Sequence, residues 1–486
     1  MSKHALNTSR QTPSYPALTH AALAVAVALL AGGCAVGPAY KVPETPAPNA
    51  FKETASDAEK AAAGWTVAAP ADTLDRGPWW QLFGDPLLNQ LVDSIEVSNQ
   101  NVAIAAANYA QARALVAEQR AALFPAVNLN GTAARSGGGG NTQNASQYRA
   151  NIGASWEPDI WGRLRAGANS ARASLQASAA DLAAARLSAQ GELATNYFLL
   201  RQTDAEKALL DATTEGYERV RQITQNRFDA GVTAKSDLLQ AQTQLANARI
   251  DQVSLVNQRA NLEHAIAVLL GKAASDFALA PAPWNVVVPD VPAGVPSTLL
   301  QRRPDIAAAE RSVAVANEQI GIARAAYFPS LNLTGSYGVG SNAASGLFNA
   351  SNSLWSLGLS AAQTLFDAGA IKARVAGAEA SRDAAIARYR QTVLTAFADV
   401  ENQLSATRAL AQQQDLRREA SEAADQVEAQ MLNRYRAGQV GYTDVVTAQT
   451  TALNARRALV QSQADRQTTA IALIQSLGGG WHTASD

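Results

Sequence analysis

Cysteine occurs once in 486 residues, at Cys34, so no internal disulfide can staple the chain. Charge of either sign is balanced, 40 basic against 41 acidic side chains, which argues against a nucleic-acid partner that needs a basic face. Aromatics amount to only 6%, whereas alanine and glutamine abound, a composition suited to long helices packed through small side chains. The four histidines, His4, His20, His264 and His482, lie far apart, and neither an HExxH nor a CxxC spacing occurs. No metal site is therefore expected. A phosphate-binding loop is missing too, because Gly271 and Lys272 are followed by Ala273 and lack the earlier glycine. The glycine run Gly137 to Gly140, between Ser136 and Asn141, reads as a flexible turn. We find no constellation for catalysis and expect no cofactor. Proline is absent between Pro158 and Pro281 and again after Pro329, which leaves room for very long helices.

The amino terminus carries an address. Lys3, His4 and Arg10 precede the apolar run Ala21 to Leu30, which leads into "AGGC". A basic start, a short apolar segment and small residues at the cut site predict a secretory signal over residues 1–33. The run is too short to span a bilayer, which takes about 20 residues. "AGGC" resembles a bacterial lipobox, although Ala31 stands where leucine is commonest; the resemblance implies lipidation of Cys34. Ala35 follows, in place of the aspartate that favours inner-membrane retention, so the resemblance points to the outer membrane. Residues 34–78, rich in Pro, Ala and Thr, are expected to form a lipid-anchored extended tether.

The rest is a tandem duplication. Gly438 stands 207 positions after Gly231, and Asp444, Ala448 and Gly369 stand at the same offset from Asp237, Ala241 and Gly162. "LFPAVNLNG" at Leu123 reappears as "YFPSLNLTG" at Tyr327. The first repeat is expected over 79–290 and the second over 291–478, with residues 479–486 as a tail. Each repeat reads as helix, Phe-Pro stop, two strands and a long helical region. Pro125 and Pro329 end helices because proline disfavours helical geometry in the preceding residue. Val127 and Leu129 alternate with Asn128 and Asn130, and Tyr148, Ala150, Ile152, Ala154 and Trp156 alternate with Arg149, Asn151, Gly153, Ser155 and Glu157. Leu331, Leu333 and Tyr337, then Trp355, Leu357 and Leu359, do likewise in the second copy. The strands predicted are about 126–135 and 147–157, then 330–338 and 353–361. Such alternation suits transmembrane β-barrel strands; a soluble sandwich has the same period. Leu164 towards Phe228 can form one helix of about 65 residues, approaching 100 Å at about 1.5 Å per residue. Ser236 to Leu270 gives a second, with heptad-spaced Leu238, Leu245, Leu255, Leu262 and Leu269.

Four strands cannot close a barrel, and an open edge is not tolerated in lipid, so copies of the chain must share one. Two, three or four subunits would supply about eight, twelve or sixteen strands. A periplasmic coiled coil that conducts nothing is the rival reading.

Further motifs are "CAVGPAYKVP" at Cys34, "WWQLFGDPLLNQLV" at Trp79, "SWEPDIWGRLR" at Ser155, "PAGVPSTLLQRRPDIAAAE" at Pro292 and "SLGGGW" ending at Trp481. On these the chain resembles the outer-membrane factors of Gram-negative tripartite efflux systems, specifically their lipoprotein branch. The resemblance implies a mainly α protein with transmembrane β strands. Three chains would make a homotrimer with a twelve-stranded β-barrel continued by an α-helical barrel across the periplasm. It further implies a periplasmic adaptor and an inner-membrane pump of the proton-driven RND class as partners, outer-membrane lipid around the barrel, and drugs or other small toxic compounds as cargo. Protein secretion through a type I system would use the same architecture.

"QNRFDAGVTAKSD" at Gln225 and "LNRYRAGQVGYTD" at Leu432 each join one long helix to the next, at the end far from the strands. Gly231 and Gly438 supply backbone freedom for the reversal. Thr233 or Ser236, and Thr443, are expected to cap the following helices, with Asp237 and Asp444 at their positive ends. In a trimer the two aspartates would each form a ring of carboxylates, balanced by Arg227 and Arg434. The resemblance assigns Asp444 and Tyr435 to the closed periplasmic tip. Val440 and Thr447 depart from a relative that carries an arginine and a second aspartate there. Arg303, Pro304 and Asp305 read as a structural helix start. Trp79, Trp80 and Phe83 are expected to pack the tether on helices, and Trp156, Trp161 and Trp355 to belong to an interfacial girdle.

Overall fold

The computed structural model describes residues 36–45, 48, 50–53, 78–137, 145–291 and 302–479. The signal segment, Cys34, Gly138 to Gly140, the stretch from Pro292 to Leu300 and the tail beyond Gly479 lie outside the described residues. The chain divides into two compact units. Unit 1 comprises Met1–Val42, Ala112–Leu175 and Ser312–Ala385; unit 2 comprises Pro43–Gln111, Gln176–Arg311 and Ile386–Asp486.

The elements follow one another twice in the same order. Helices α1 (Pro86–Ser98) and α2 (Gln100–Ala121) lead to strands β1 (Ala126–Ser136) and β2 (Ala145–Trp156), then α3 (Arg163–Asp229) and α4 (Lys235–Leu269). Helix α5 (Pro304–Ala325) leads to β3 (Ser330–Ser341) and β4 (Ser353–Ala362), then α6 (Ala370–Arg436) and α7 (Tyr442–Ser476). Both α3 and α6 are unbroken over 67 residues, and both α4 and α7 over 35. No proline interrupts them. Among the described residues no helix is long and apolar enough to cross a membrane.

Unit 1 holds one antiparallel sheet in the order β1-β2-β3-β4. Its register puts Leu129 opposite Ile152, Ile152 opposite Tyr337, and Tyr337 opposite Trp355. Residues directly opposite share a face, so a continuous apolar surface forms from Leu129 (79% exposed) to Trp355 (78% exposed). The other face carries Asn128 opposite Gly153, Asn130 opposite Asn151, and Ser336 hydrogen-bonded to Ser356 at 2.8 Å. Exposed apolar rows of this size are costly in water and favoured in lipid. Below the sheet, the Trp161 ring stacks on Phe328 at 4.7 Å and its Nε1–H donates to the Pro329 carbonyl at 2.7 Å. The Trp156 indole donates to the Leu123 carbonyl at 3.0 Å. The described part of the tether in this unit is held by Asn317, whose Nδ2 donates to the Pro38 carbonyl at 2.8 Å.

Unit 2 is helical. Its main core gathers Trp79, Phe83, Leu88, Ile95, Leu193, Tyr197, Phe198, Ile266, Ile471 and Ile474. Asp85 caps α1 by accepting from the Leu87 and Leu88 amides at 2.9 and 3.1 Å, and the Tyr197 hydroxyl donates to its other oxygen at 2.6 Å. Burial, reinforced by that acidic partner, pushes the Tyr197 phenol up to about 12. Of the heptad leucines, Leu238, Leu245, Leu255 and Leu269 are buried, while Leu262 packs half-buried against the main core. The tether's Phe51 is buried, and the amides of Lys52 and Glu53 donate to the Glu401 carboxylate at 2.7 and 2.9 Å.

Candidate functional site

The two long-helix turns lie in unit 2 and are built alike. After α3, the Gly231 amide donates to the Phe228 carbonyl and the Val232 amide to the Arg227 carbonyl, both at 2.8 Å. After α6, Gly438 donates to Tyr435 and Gln439 to Arg434, both at 2.9 Å. This paired cap needs a left-handed residue at its centre; Gly231 has φ 68° and Gly438 φ 74°.

Side-chain caps do not open the next helices. The residue before α4 is Ala234 and the one before α7 is Gly441, so neither Thr233, Ser236 nor Thr443 occupies the capping position. The expected caps are corrected accordingly: the helices begin one residue before Ser236 and Thr443 reach that place. The Thr233 hydroxyl instead donates to the Asp237 carboxylate in the first turn, and Thr443 contacts the Gln240 side chain at 3.4 Å.

Arg227 fastens the two turns together. Its Nη1 donates to the carbonyls of Tyr435 and Arg436 at 3.1 and 3.4 Å, at the negative end of α6. The guanidinium lies 4.8 Å from the Tyr435 ring centre, a cation–π contact. Tyr435 is buried against Tyr442 with ring centres 5.4 Å apart, and Val220, Ala241 and Val445 complete the cluster. Burial pushes the Tyr442 phenol well above its ordinary range, with the Tyr435, Tyr217 and Asp237 charges adding to the shift.

The equivalent aspartates differ. Asp237 is half-buried beside its threonine, whereas Asp444 is exposed, and Val440 stands in place of that threonine at the 207-residue offset. Arg434 and Asp444 both line a cavity of about 510 Å³, with Ala424, Val427 and Met431 along one wall. Among the described residues Arg434, Asp444 and Lys235 make no ion pair.

Charged clasps farther from the turns were not read from the sequence. Arg249 meets Glu218 at 3.3 Å, while its counterpart Arg456 meets Asp425 at 2.7 Å and Glu428 at 2.8 Å. Arg457 reaches Glu206 at 2.7 Å and Asp251 at 3.0 Å. The offset that pairs Arg249 with Arg456 was the available signal. Arg303 binds Asp305 at 2.7 Å, Asp399 at 3.3 Å and the Ser476 carbonyl at 3.2 Å, which makes its motif a staple among α5, α6 and α7. Trp79 and Phe83 are core residues, and the Trp79 indole donates to Gln190 at 3.3 Å. Nothing in either turn offers a nucleophile, a paired acid and base, or a ligand cluster; what the arrangement can do is hold helix ends together or let them part.

Comparison with known proteins adds an independent line. The outer membrane efflux protein profile matches residues 91–272 and again 295–479. The antibiotic efflux pump outer membrane protein ArpC of Pseudomonas putida is 31% identical over 474 residues, covering 96% of each chain. The solvent efflux pump outer membrane protein SrpC of the same species is 30% identical over 468 residues, covering 94% of this chain and 98% of its own. Among solved structures, the outer-membrane channel OprN superposes with a TM-score of 0.84 at 31% identity, covering 92% of this chain and all of that one.

Proposed function

This chain belongs to the outer membrane efflux protein family and is an outer-membrane channel component of an efflux system; from that premise we propose that three copies close one barrel and form a passive exit duct. The open sheet carries the reading. Strands β1 and β4 each have one neighbour, so each offers an unpaired edge. In lipid such an edge must be satisfied, and β4 of one copy pairing with β1 of the next does so. The apolar face looks to lipid, and the asparagines and serines of the other face line water. The long helices of the three copies make an α-barrel that meets a periplasmic adaptor and an inner-membrane RND pump. Lipidation at Cys34 anchors the amino terminus.

The duct selects little. ArpC is named for antibiotics and SrpC for solvents, chemistries that share no recognition element. The same breadth supports drugs and other small toxic compounds as cargo here, with the pump supplying both energy and choice and no catalytic step in this chain. Residues 79–290 and 291–478 act as the two repeats of the wall. The turns at Arg227, Gly231, Asp237 and at Arg434, Tyr435, Gly438, Asp444 form the periplasmic tip, closed at rest.

Planar-bilayer recording of purified protein tests this. We expect a heat-resistant trimer with a small closed-state current, and a larger current in Asp444→Ala. A monomer in mild detergent would sink the shared barrel, and an unchanged closed-state current in the variant would remove the tip as the gate.

A further inference from the structure

The strand-bearing stretches of the chain are almost free of charge. Between Pro125 and Glu157 the only charged residues are Arg135 and Arg149, and between Pro329 and Asp367 there is none. Those two stretches hold all four strands and the segments joining β1 to β2 and β3 to β4. The chain as a whole balances 40 basic against 41 acidic side chains, yet here the only charges are basic. The nearest acids are already engaged. Glu157 pairs with Arg163 at 2.7 Å and Asp159 with Arg165 at 3.1 Å, while Asp367 accepts from the Gly369 and Ile371 amides at 2.9 and 2.7 Å.

Register sends the two arginines to opposite faces. Arg149 lies opposite Thr132 on β1 and Gly340 on β3, two residues from Asn151, which lies opposite Asn130. It therefore belongs to the polar face, where it is the only charge on the four strands. Arg135 lies opposite Ser146, two residues beyond Ala133 and its partner Tyr148, and so belongs to the apolar face. Arg149 is exposed, and among the described residues it makes no ion pair. Its stem lies across β3: a Cβ added at Gly340 would stand 3.6 Å from Arg149 Cγ and 3.0 Å from Leu354 Cδ1. The glycine leaves room for the stem and the leucine flanks it, while the guanidinium is left to water. Arginine stays protonated at any working pH, so the charge is permanent.

We propose that Arg149 of each copy contributes to a cationic collar inside the barrel, which favours anionic over cationic cargo on its way out. The inference rests on the shared-barrel reading, because one chain supplies one charge and only a closed barrel turns several towards a common axis. A twelve-stranded barrel is wider than the eight-stranded kind that side chains fill and narrower than a porin. With three guanidiniums about 10 Å from the axis, Coulomb's law in water, screened over about 30 Å at 0.01 M salt, enriches a univalent anion roughly fourfold. A divalent anion gains the square of that factor. At about 1 M salt the screening length falls to about 3 Å and the enrichment vanishes. A bias by sign of charge needs no pocket, so it coexists with a broad range of cargo.

Planar-bilayer recording of the full-length protein under a KCl gradient centred on about 0.01 M separates the two readings. A wild-type protein that neither trimerises nor conducts overturns the shared barrel, and the collar with it. Given conducting trimers, the chloride-to-potassium permeability ratio is expected to fall several-fold in Arg149→Gln, to fall further in Arg149→Glu and to be kept in Arg149→Lys. Arg135→Gln removes the same charge from the lipid-facing side and is expected to leave the ratio unchanged. Intact Arg149→Gln trimers with the wild-type ratio overturn the collar and leave the barrel standing. A fall of equal size in Arg135→Gln overturns the assignment of Arg149 to the lumen. Should the Arg149 variants fail to assemble, Asn151→Asp decides, since it keeps Arg149 and sets a carboxylate two residues away on the same face. The ratio is expected to fall several-fold there too, and a ratio held at the wild-type value overturns the collar.

Discussion

Alanine at Gly231 and alanine at Gly271 make the same chemical change at the same kind of helix end, yet the structure separates their consequences. Both glycines are left-handed, with φ 68° and 64°. A residue with a β-carbon in that region costs about 1–2 kcal/mol. At Gly231 an added Cβ meets nothing within 4 Å, so that backbone cost is the whole effect. At Gly271 the Cβ would sit 2.2 Å from the Ser98 carbonyl oxygen, and the junction between α1 and α2 must move. That junction is held by buried Asn99, whose Nδ2 donates to the Leu269 carbonyl at 2.7 Å and whose Oδ1 accepts from the Asn101 and Val102 amides at 2.9 and 3.1 Å. Three hydrogen bonds at about 1 kcal/mol each bring the total for Gly271→Ala to about 4 kcal/mol. Hydrogen exchange at the Val102 amide reads the difference directly. We expect at least a hundredfold acceleration in Gly271→Ala, at about 1.4 kcal/mol per tenfold, and little change in Gly231→Ala. Equal destabilisation by the two variants, or an unmoved Val102 amide, would refute the reasoning.

Leu129→Arg should cost about 2–4 kcal/mol of barrel stability in lipid, while Asn128→Arg, one residue away on the other face, should cost far less; the temperature at which the oligomer band collapses compares them. Removing Arg227 takes away charge-assisted bonds worth about 1.5–3 kcal/mol, so Arg227→Ala should speed exchange of the Gly438 and Gln439 amides about tenfold or more, with Arg227→Lys intermediate. Tyr197 gives an alkaline signature. Its folded value is raised above the ordinary 10.0 to about 12, so its contribution is complete below pH 10 and is lost as pH climbs towards 12. Melts from pH 8 to 12 should fall steeply above 10 in the wild type and more shallowly in Tyr197→Phe.

Much of this architecture was legible before any coordinates. A period of two over the strands, proline-free stretches between Pro158 and Pro281 and after Pro329, and a 207-residue offset are local or periodic signals, and they are sufficient to identify a duplicated protein of long helices with short paired strands. Glycine at 231 and 438 announced left-handed caps, since few other residues accept that backbone. The helix caps were misread because Thr233, Ser236 and Thr443 can all serve as caps, and only the helix axis decides which residue stands first.

What the sequence could not determine is which copy of a repeated residue is used and which is left over. The sequence already sets Thr233 four residues before Asp237 and Val440 four residues before Asp444, but only the fold opens a cavity beside Asp444. Arg227 and Arg434 are equivalent in the chain, and tertiary packing alone gives one of them the end of α6 while leaving the other in an open cavity, with no ion pair among the described residues. The reason is physical. Periodicity and chain stiffness act between neighbours in sequence, whereas pairing across about two hundred residues depends on where packed helices come to lie, and a duplicated pattern is the same in both places until they do.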